Sequence, residues 1–110
     1  MSIDTSVIRG TLDLLILRVL SLEPMHGWGI SERIQSLSAE ALRVQQGSLY
    51  ASLHRLTREG WIKSYWEDTD SGRRARYYTL TAAGRKQVTV ETDSWHRLSA
   101  GVGLIIASTS

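Results

Sequence analysis

The feature that most constrains this chain is a change of hydrophobic period near Gly60 and its reversal at Thr81. Upstream of Gly60, apolar residues recur at helical spacing. Thr11 is placed to cap a first helix whose Leu12, Leu15, Ile16, Val19 and Leu20 share one face, and Pro24 stops it. Gly27 opens a second helix carrying Ile30, Ile34 and Leu37, with Trp28 adding to its packing and Glu32, Arg33 and Gln35 turned outward. A third helix spans residues 48–59 on the stripe Leu49, Leu53 and Leu56, with Gly60 as its C-terminal cap. Residues 61–66 and 75–80 are then rich in strand formers, and Asp68-Thr69-Asp70-Ser71-Gly72 between them is turn chemistry, so the two runs form a hairpin. Arg43-Val44-Gln45 is placed to add a third strand to it. Side chains alternate along a strand, so Tyr77 and Tyr78 face opposite ways and one of them belongs to the core.

From Thr81 the helical period returns and holds to Ala107. Val88, Trp95, Leu98, Val102 and Ile105 fall on a and d positions of a heptad register, with Glu91 the one polar interruption. Such a rod is roughly 40 Å long. It cannot all lie on a domain this small, so its stripe calls for a partner, most simply the same helix of a second copy. The expected class is mainly α with a small β-hairpin wing. A winged helix-turn-helix occupies residues 1–80, and a C-terminal dimerisation helix occupies residues 81–110.

With 110 residues, 42% hydrophobic and 22% charged, the chain suits one globular domain with a modest core. It has no cysteine, which excludes disulfides, thiolate metal sites and cysteine nucleophiles. The apolar run Leu14-Leu15-Ile16-Leu17 is far short of a membrane span, and the N-terminus lacks the layout of a signal peptide, so the cytoplasm is the expected compartment and no membrane partner is expected. His26 and His96 show no ligand spacing, and neither an HExxH motif nor paired carboxylates occur. No metal, cofactor or catalytic residue is therefore expected. The net charge of +2 conceals an asymmetry: residues 43–86 hold nine basic and four acidic side chains, the remainder four basic and seven acidic. A basic middle of +5 beside a remainder of −3 fits a polyanion, although a solvated surface accounts for it equally well.

Several runs together resemble the PadR family of transcriptional regulators. They are Gly10-Thr11-Leu12-Asp13-Leu14-Leu15-Ile16-Leu17, Met25-His26-Gly27-Trp28-Gly29-Ile30, Gln46-Gly47-Ser48-Leu49-Tyr50, Leu53-His54-Arg55-Leu56, Glu59-Gly60-Trp61-Ile62, and Arg73-Arg74-Ala75-Arg76-Tyr77-Tyr78-Thr79-Leu80-Thr81-Ala82-Ala83-Gly84. They run in family order over about residues 8–84. Ala51 departs from the proline that many members carry there, a change that a helix start tolerates. The short C-terminal helix is that of the compact members.

The resemblance implies a recognition helix at residues 47–59. Gly47 permits close backbone approach, and Gln46, Ser48 and Tyr50 set hydrogen-bonding groups beside first-turn amides that attract phosphate. His54 and Arg55 follow on nearby turns, within reach of base edges or phosphates. Tyr50 has the alternative of a core ring with its hydroxyl at the surface, and His54 that of an ordinary surface histidine. Arg58 is better explained as charge at a helix end. On the hairpin, Arg74 and Arg76 share a face opposite Arg73, Ala75 and Tyr77, and Lys63 is expected to join the DNA-facing side. Arginines on an exposed hairpin also discourage edge pairing. In some compact PadR-like proteins a tryptophan on the last helix lines an aromatic pore that takes planar hydrophobic drugs. The resemblance offers Trp95 that role, against a buried interface tryptophan without a ligand. Trp28 and Trp61 are assigned to packing.

The expected function is sequence-specific binding of a double-stranded DNA operator with inverted repeats by a homodimeric repressor, with a small aromatic effector as the releasing signal. The alternative is a winged-helix module for protein contacts alone, which has no need of an arginine-rich hairpin. An enzyme would need a nucleophile, general base or metal site, and the residues supply none.

Overall fold

The structure, a computed structural model, describes residues 3–4 and 9–108. Helix α1 (Arg9–Leu20) runs through the middle of the fold because it is apolar on more than one side. Leu12, Ile16, Leu17, Val19 and Leu20 are all buried, and the helix packs against three other helices and the hairpin. It begins two residues upstream of Thr11, which therefore sits inside the first turn and is not the cap, since nothing in Arg9-Gly10 forbids helical backbone.

After Pro24 the chain makes a two-residue strand β1 (Met25–His26) and turns directly into α2 (Gly27–Leu37). His26 is the N-cap: its backbone is extended, and its Nδ1 accepts the N–H of Gly29 at 3.0 Å. Ile30 and Ile34 are buried on this helix, but Trp28 and Leu37 are 62% exposed, against expectation. Trp28 lies on the helix face opposite Ile30, and Leu37 ends the helix past the edge of the core. The strand β2 (Leu42–Arg43) pairs in parallel with the N-terminal Ile3–Asp4 segment, so Arg43-Val44-Gln45 does not join the hairpin. Its expected place is taken by β1, because the extended backbone that a cap requires at His26 lies alongside the hairpin.

Helix α3 (Gln46–Arg58) buries Leu49, Leu53 and Leu56. It ends as Gly60 indicates: φ there is +79°, Gly60 N–H bonds the Thr57 carbonyl at 3.0 Å, and Trp61 N–H bonds that of Leu56 at 3.1 Å. That pair of bonds satisfies the last carbonyls and needs a left-handed residue. The hairpin follows as β3 (Ile62–Asp68) and β4 (Arg74–Leu80), with β4 central between β1 and β3. Ile62 lies opposite Leu80, and Trp66 opposite Arg76. The base of the hairpin closes the core with Ile62, Tyr78 and Leu80, while half-buried Trp61 packs beside it. Tyr78 is thus the core tyrosine of the pair, and Tyr77 stacks on Tyr65 across the outer face at 5.8 Å.

Helix α4 (Ala82–Ala107) is capped by Thr81, whose Oγ1 accepts from Gly84 N–H at 3.0 Å and donates to the Gly60 carbonyl at 2.6 Å. Thr81 N–H also bonds the Trp61 carbonyl at 3.0 Å. Gly84 is buried there: a Cβ would lie 1.9 Å from the Trp61 carbonyl oxygen. Val88 is partly buried against the core of its own chain. Beyond it the helix leaves the domain, which gives the molecule its long axis of 59 Å. Trp95, Leu98, Val102 and Ile105 remain exposed, together with Leu104 and Ile106. No described helix is long and apolar enough to cross a membrane.

Candidate nucleic-acid interface

The outward face of α3 begins with Gly47, where a Cβ would meet nothing within 4 Å, and continues through Tyr50, Ala51, His54 and Arg58. These positions follow helical spacing opposite the buried Leu49, Ser52, Leu53 and Leu56. The N-cap Gln45 gives the first turn no side-chain cap bond. Gln46 is exposed, and its Nε2 reaches the buried Ser31 hydroxyl at 3.1 Å, which ties the start of α3 to α2. Ser48 is half-buried beside it. Tyr50 is half exposed and lies against α2 so closely that a Cβ on Gly27 would come 2.6 Å from its hydroxyl oxygen. Only glycine at position 27 lets the ring lie there.

Arg55 is placed otherwise than the sequence indicated. Its guanidinium pairs with the Asp13 carboxylate of α1 and bonds the Ser52 hydroxyl at 3.2 Å, so its charge is committed inside the chain. Lys63 is displaced as well. The register sets it opposite Thr79, and alternation then puts it on the sheet face of Tyr65 and Tyr77, away from Arg74 and Arg76.

Arg74 and Arg76 do share a face, and Trp66 shares it with them. Their guanidinium carbons stand 5.9 and 5.1 Å from the Trp66 ring centroid, a cation–π geometry that holds both side chains over the ring. Between this face and the α2–α3 pair lies an open cleft of about 890 Å³, bordered by Trp28, Tyr50, Trp66 and Arg73, Arg74 and Arg76. Among the described residues no carboxylate lines it. Burial pushes the Tyr78 hydroxyl above its usual range, Tyr50 adds to this, and the neighbouring Arg76 opposes it. The structure therefore brings Tyr50 of the helix to one side of a cleft whose other side carries the three hairpin arginines, while Gly47 and His54 lie on the exposed face of the same helix. Among the described residues no group of three His, Cys, Asp or Glu could hold a metal ion.

Three participants escaped the sequence reading. Trp28 and Trp66 were assignable to the cleft only from tertiary placement, although the turn length would have set Trp66 opposite Arg76 had the strand ends been known. The capping role of His26 was legible in principle, since a polar side chain directly before Gly27 stands at a helix start.

The chain matches the transcriptional regulator PadR-like family over residues 16–90. It is 34% identical over 94 residues to the transcriptional regulator Rv3488 of Mycobacterium tuberculosis, covering 86% of this chain and 84% of that one. Among solved structures it is similar to a transcriptional regulator from Clostridium thermocellum, with a TM-score of 0.80 at 30% identity over 96% of this chain and 99% of that chain. A PadR family regulator from Eggerthella lenta gives a TM-score of 0.75 at 30% identity, over 92% and 86% respectively. The helices, the wing, the long last helix and these likenesses agree: this chain belongs to the PadR-like family of transcriptional regulators, a family of DNA-binding regulators and not of enzymes.

Proposed function

We propose that the protein is a homodimeric, sequence-specific repressor that binds an inverted-repeat operator. Residues 1–80 form the DNA-binding part, and residues 81–110 form the dimerisation helix. The observation that carries this is a cleft, free of carboxylates among the described residues, with Tyr50 of α3 and Trp28 of α2 on one side and Arg73, Arg74 and Arg76 on the other. In this reading α3 enters the major groove through Gln46, Gly47, Ser48, Tyr50 and His54. The wing follows the adjoining backbone, where its arginines displace counterions. Two copies joined through Trp95, Leu98, Val102 and Ile105 set their recognition helices about 34 Å apart, one turn of DNA. The exposed Trp95 stands on that seam as the surface for a small planar aromatic effector, whose binding alters the spacing and releases DNA. Such a protein works in the cytoplasm, where the chromosome is.

The test is fluorescence anisotropy against the DNA upstream of the protein's own gene, with a scrambled duplex alongside, over a salt series. Tight binding at two chains per site that weakens with salt supports the reading. Absence of binding to either duplex at low salt refutes it in favour of a module for protein contacts.

A further inference from the structure

Two tryptophans border the cleft and remain without a task in the reading above. Trp28 on α2 is 62% exposed and Trp66 on β3 is 55% exposed. Both line the same hollow, so two of the largest apolar side chains are left in water within one concave site. Water is a poor neighbour for an indole ring, and a concave pair of them marks a binding surface. The charge is equally one-sided. Among the described residues three arginines and no carboxylate line this cleft, with Asp68 opposite Arg74 at the hairpin tip, whereas the hollow on the other side of His26 is lined by Glu23 and Glu32 with Arg33, and Arg33 is already paired with Glu23 at 3.1 Å. An anion is favoured in the first and not in the second.

The occupant must then combine negative charge with a flat apolar surface. Phosphate oxygens suit the guanidinium groups and the indole N–H, and the faces of deoxyribose rings suit the indoles. One object that offers both in alternation is the sugar-phosphate strand separating a major groove from its neighbouring minor groove. A helix in the one and a wing in the other straddle that strand.

We propose that the cleft seats one sugar-phosphate strand of duplex DNA. Trp28 and Trp66 hold its deoxyribose from the two walls, and Arg74 and Arg76 neutralise its phosphates. This rests on the DNA-binding reading and adds to it a neutral contact. The cation–π contacts keep the arginines and Trp66 in one arrangement before DNA arrives, which lowers the ordering cost of binding. An uncharged grip has its own signature: losing it weakens binding and leaves the salt dependence unchanged, because no counterion is displaced by it.

The experiment uses the full chain and a mixed-sequence duplex of about two helical turns at low salt, where binding is dominated by the backbone. Trp66→Ala and Trp28→Ala should each bind roughly tenfold more weakly with the wild-type salt slope. Trp66→Phe, which keeps a ring, should recover most of the loss. Both positions are exposed, so an unchanged circular dichroism spectrum is expected and is checked alongside. Wild-type affinity in both alanine variants overturns the proposal while leaving the DNA-binding reading intact. So does a salt slope lowered by about one unit in Trp66→Ala, since the ring would then act only by holding an arginine. Tighter binding of a single strand than of the duplex also overturns it, by pointing to bases stacked in the cleft. A wild-type protein that ignores the duplex at low salt removes the DNA-binding reading and this one together.

Discussion

Replacing Gly84 by alanine sets two effects of opposite sign against each other. Alanine gains about 1 kcal/mol of helix propensity over glycine. Its Cβ, however, would stand 1.9 Å from the Trp61 carbonyl oxygen and 3.2 Å from Leu80 Cδ2. Contacts below 3.0 Å are not sustained, so the start of α4 must withdraw by about 1 Å from the base of the wing. The obstacle is backbone and cannot swing aside. It is also the acceptor of the 3.0 Å bond from Thr81 N–H, which such a withdrawal stretches past bonding length. The lost bond costs about 1 kcal/mol and the forced repacking about 2 kcal/mol. The balance is a net destabilisation of about 2 kcal/mol, or about 8 °C in Tm for a chain of this size. Thermal unfolding followed by far-UV circular dichroism at fixed protein concentration reads this directly. The same substitution at Gly103, where a Cβ meets nothing within 4 Å, should instead stabilise the helix by about 0.5 kcal/mol. A Gly84→Ala protein as stable as wild type refutes the described seating of α4 on the Trp61 carbonyl.

Four further outcomes are expected. Arg74→Ala should weaken binding to all DNA sequences and lower the salt slope by about one unit, whereas Arg55→Gln should leave that slope unchanged because Arg55 is already paired with Asp13; equal slopes for Arg74→Ala and wild type would remove Arg74 from the phosphate contacts. Val102→Asp should yield monomers in analytical ultracentrifugation that bind DNA poorly, and an unaffected dimer would show the seam to lie elsewhere. Gly27→Ala should push the Tyr50 ring off α2 and weaken DNA binding in anisotropy by about tenfold, with wild-type affinity ruling out Tyr50 as a contact held in place by that glycine.

The parts of the fold that the sequence reveals are those governed by local rules. The stripes Leu49-Leu53-Leu56 and Ile30-Ile34, the left-handed Gly60, the start of the last helix at Thr81 and the alternation that sets Arg74 with Arg76 all follow from spacing within a few residues. What escaped depends on what lies across the fold. A two-residue strand such as Met25–His26 has no period to detect, so the third member of the hairpin sheet was assigned to the wrong segment. Trp28 and Leu37 are apolar and helical, yet nothing local says that the domain ends before it covers them. Arg55 meets its carboxylate 42 residues away in sequence, a pairing that no motif encodes. Lys63 needed the register of the hairpin, and the aromatic walls of the cleft needed the placement of α2 against the wing.

Thr81 has a mechanical consequence. Through one residue it fastens the end of α3 at Gly60, the root of the wing at Trp61 and the first turn of α4 at Gly84. The last helix is therefore a lever arm about 39 Å long, pivoted beside α3 and the hairpin. A tilt of about 5° at that pivot displaces its far end by about 3 Å, comparable to the helix shifts by which regulators switch. A displacement of the apolar tip, near Ile105, would thus bear on the end of α3 through three hydrogen bonds and a glycine with no room for a methyl group.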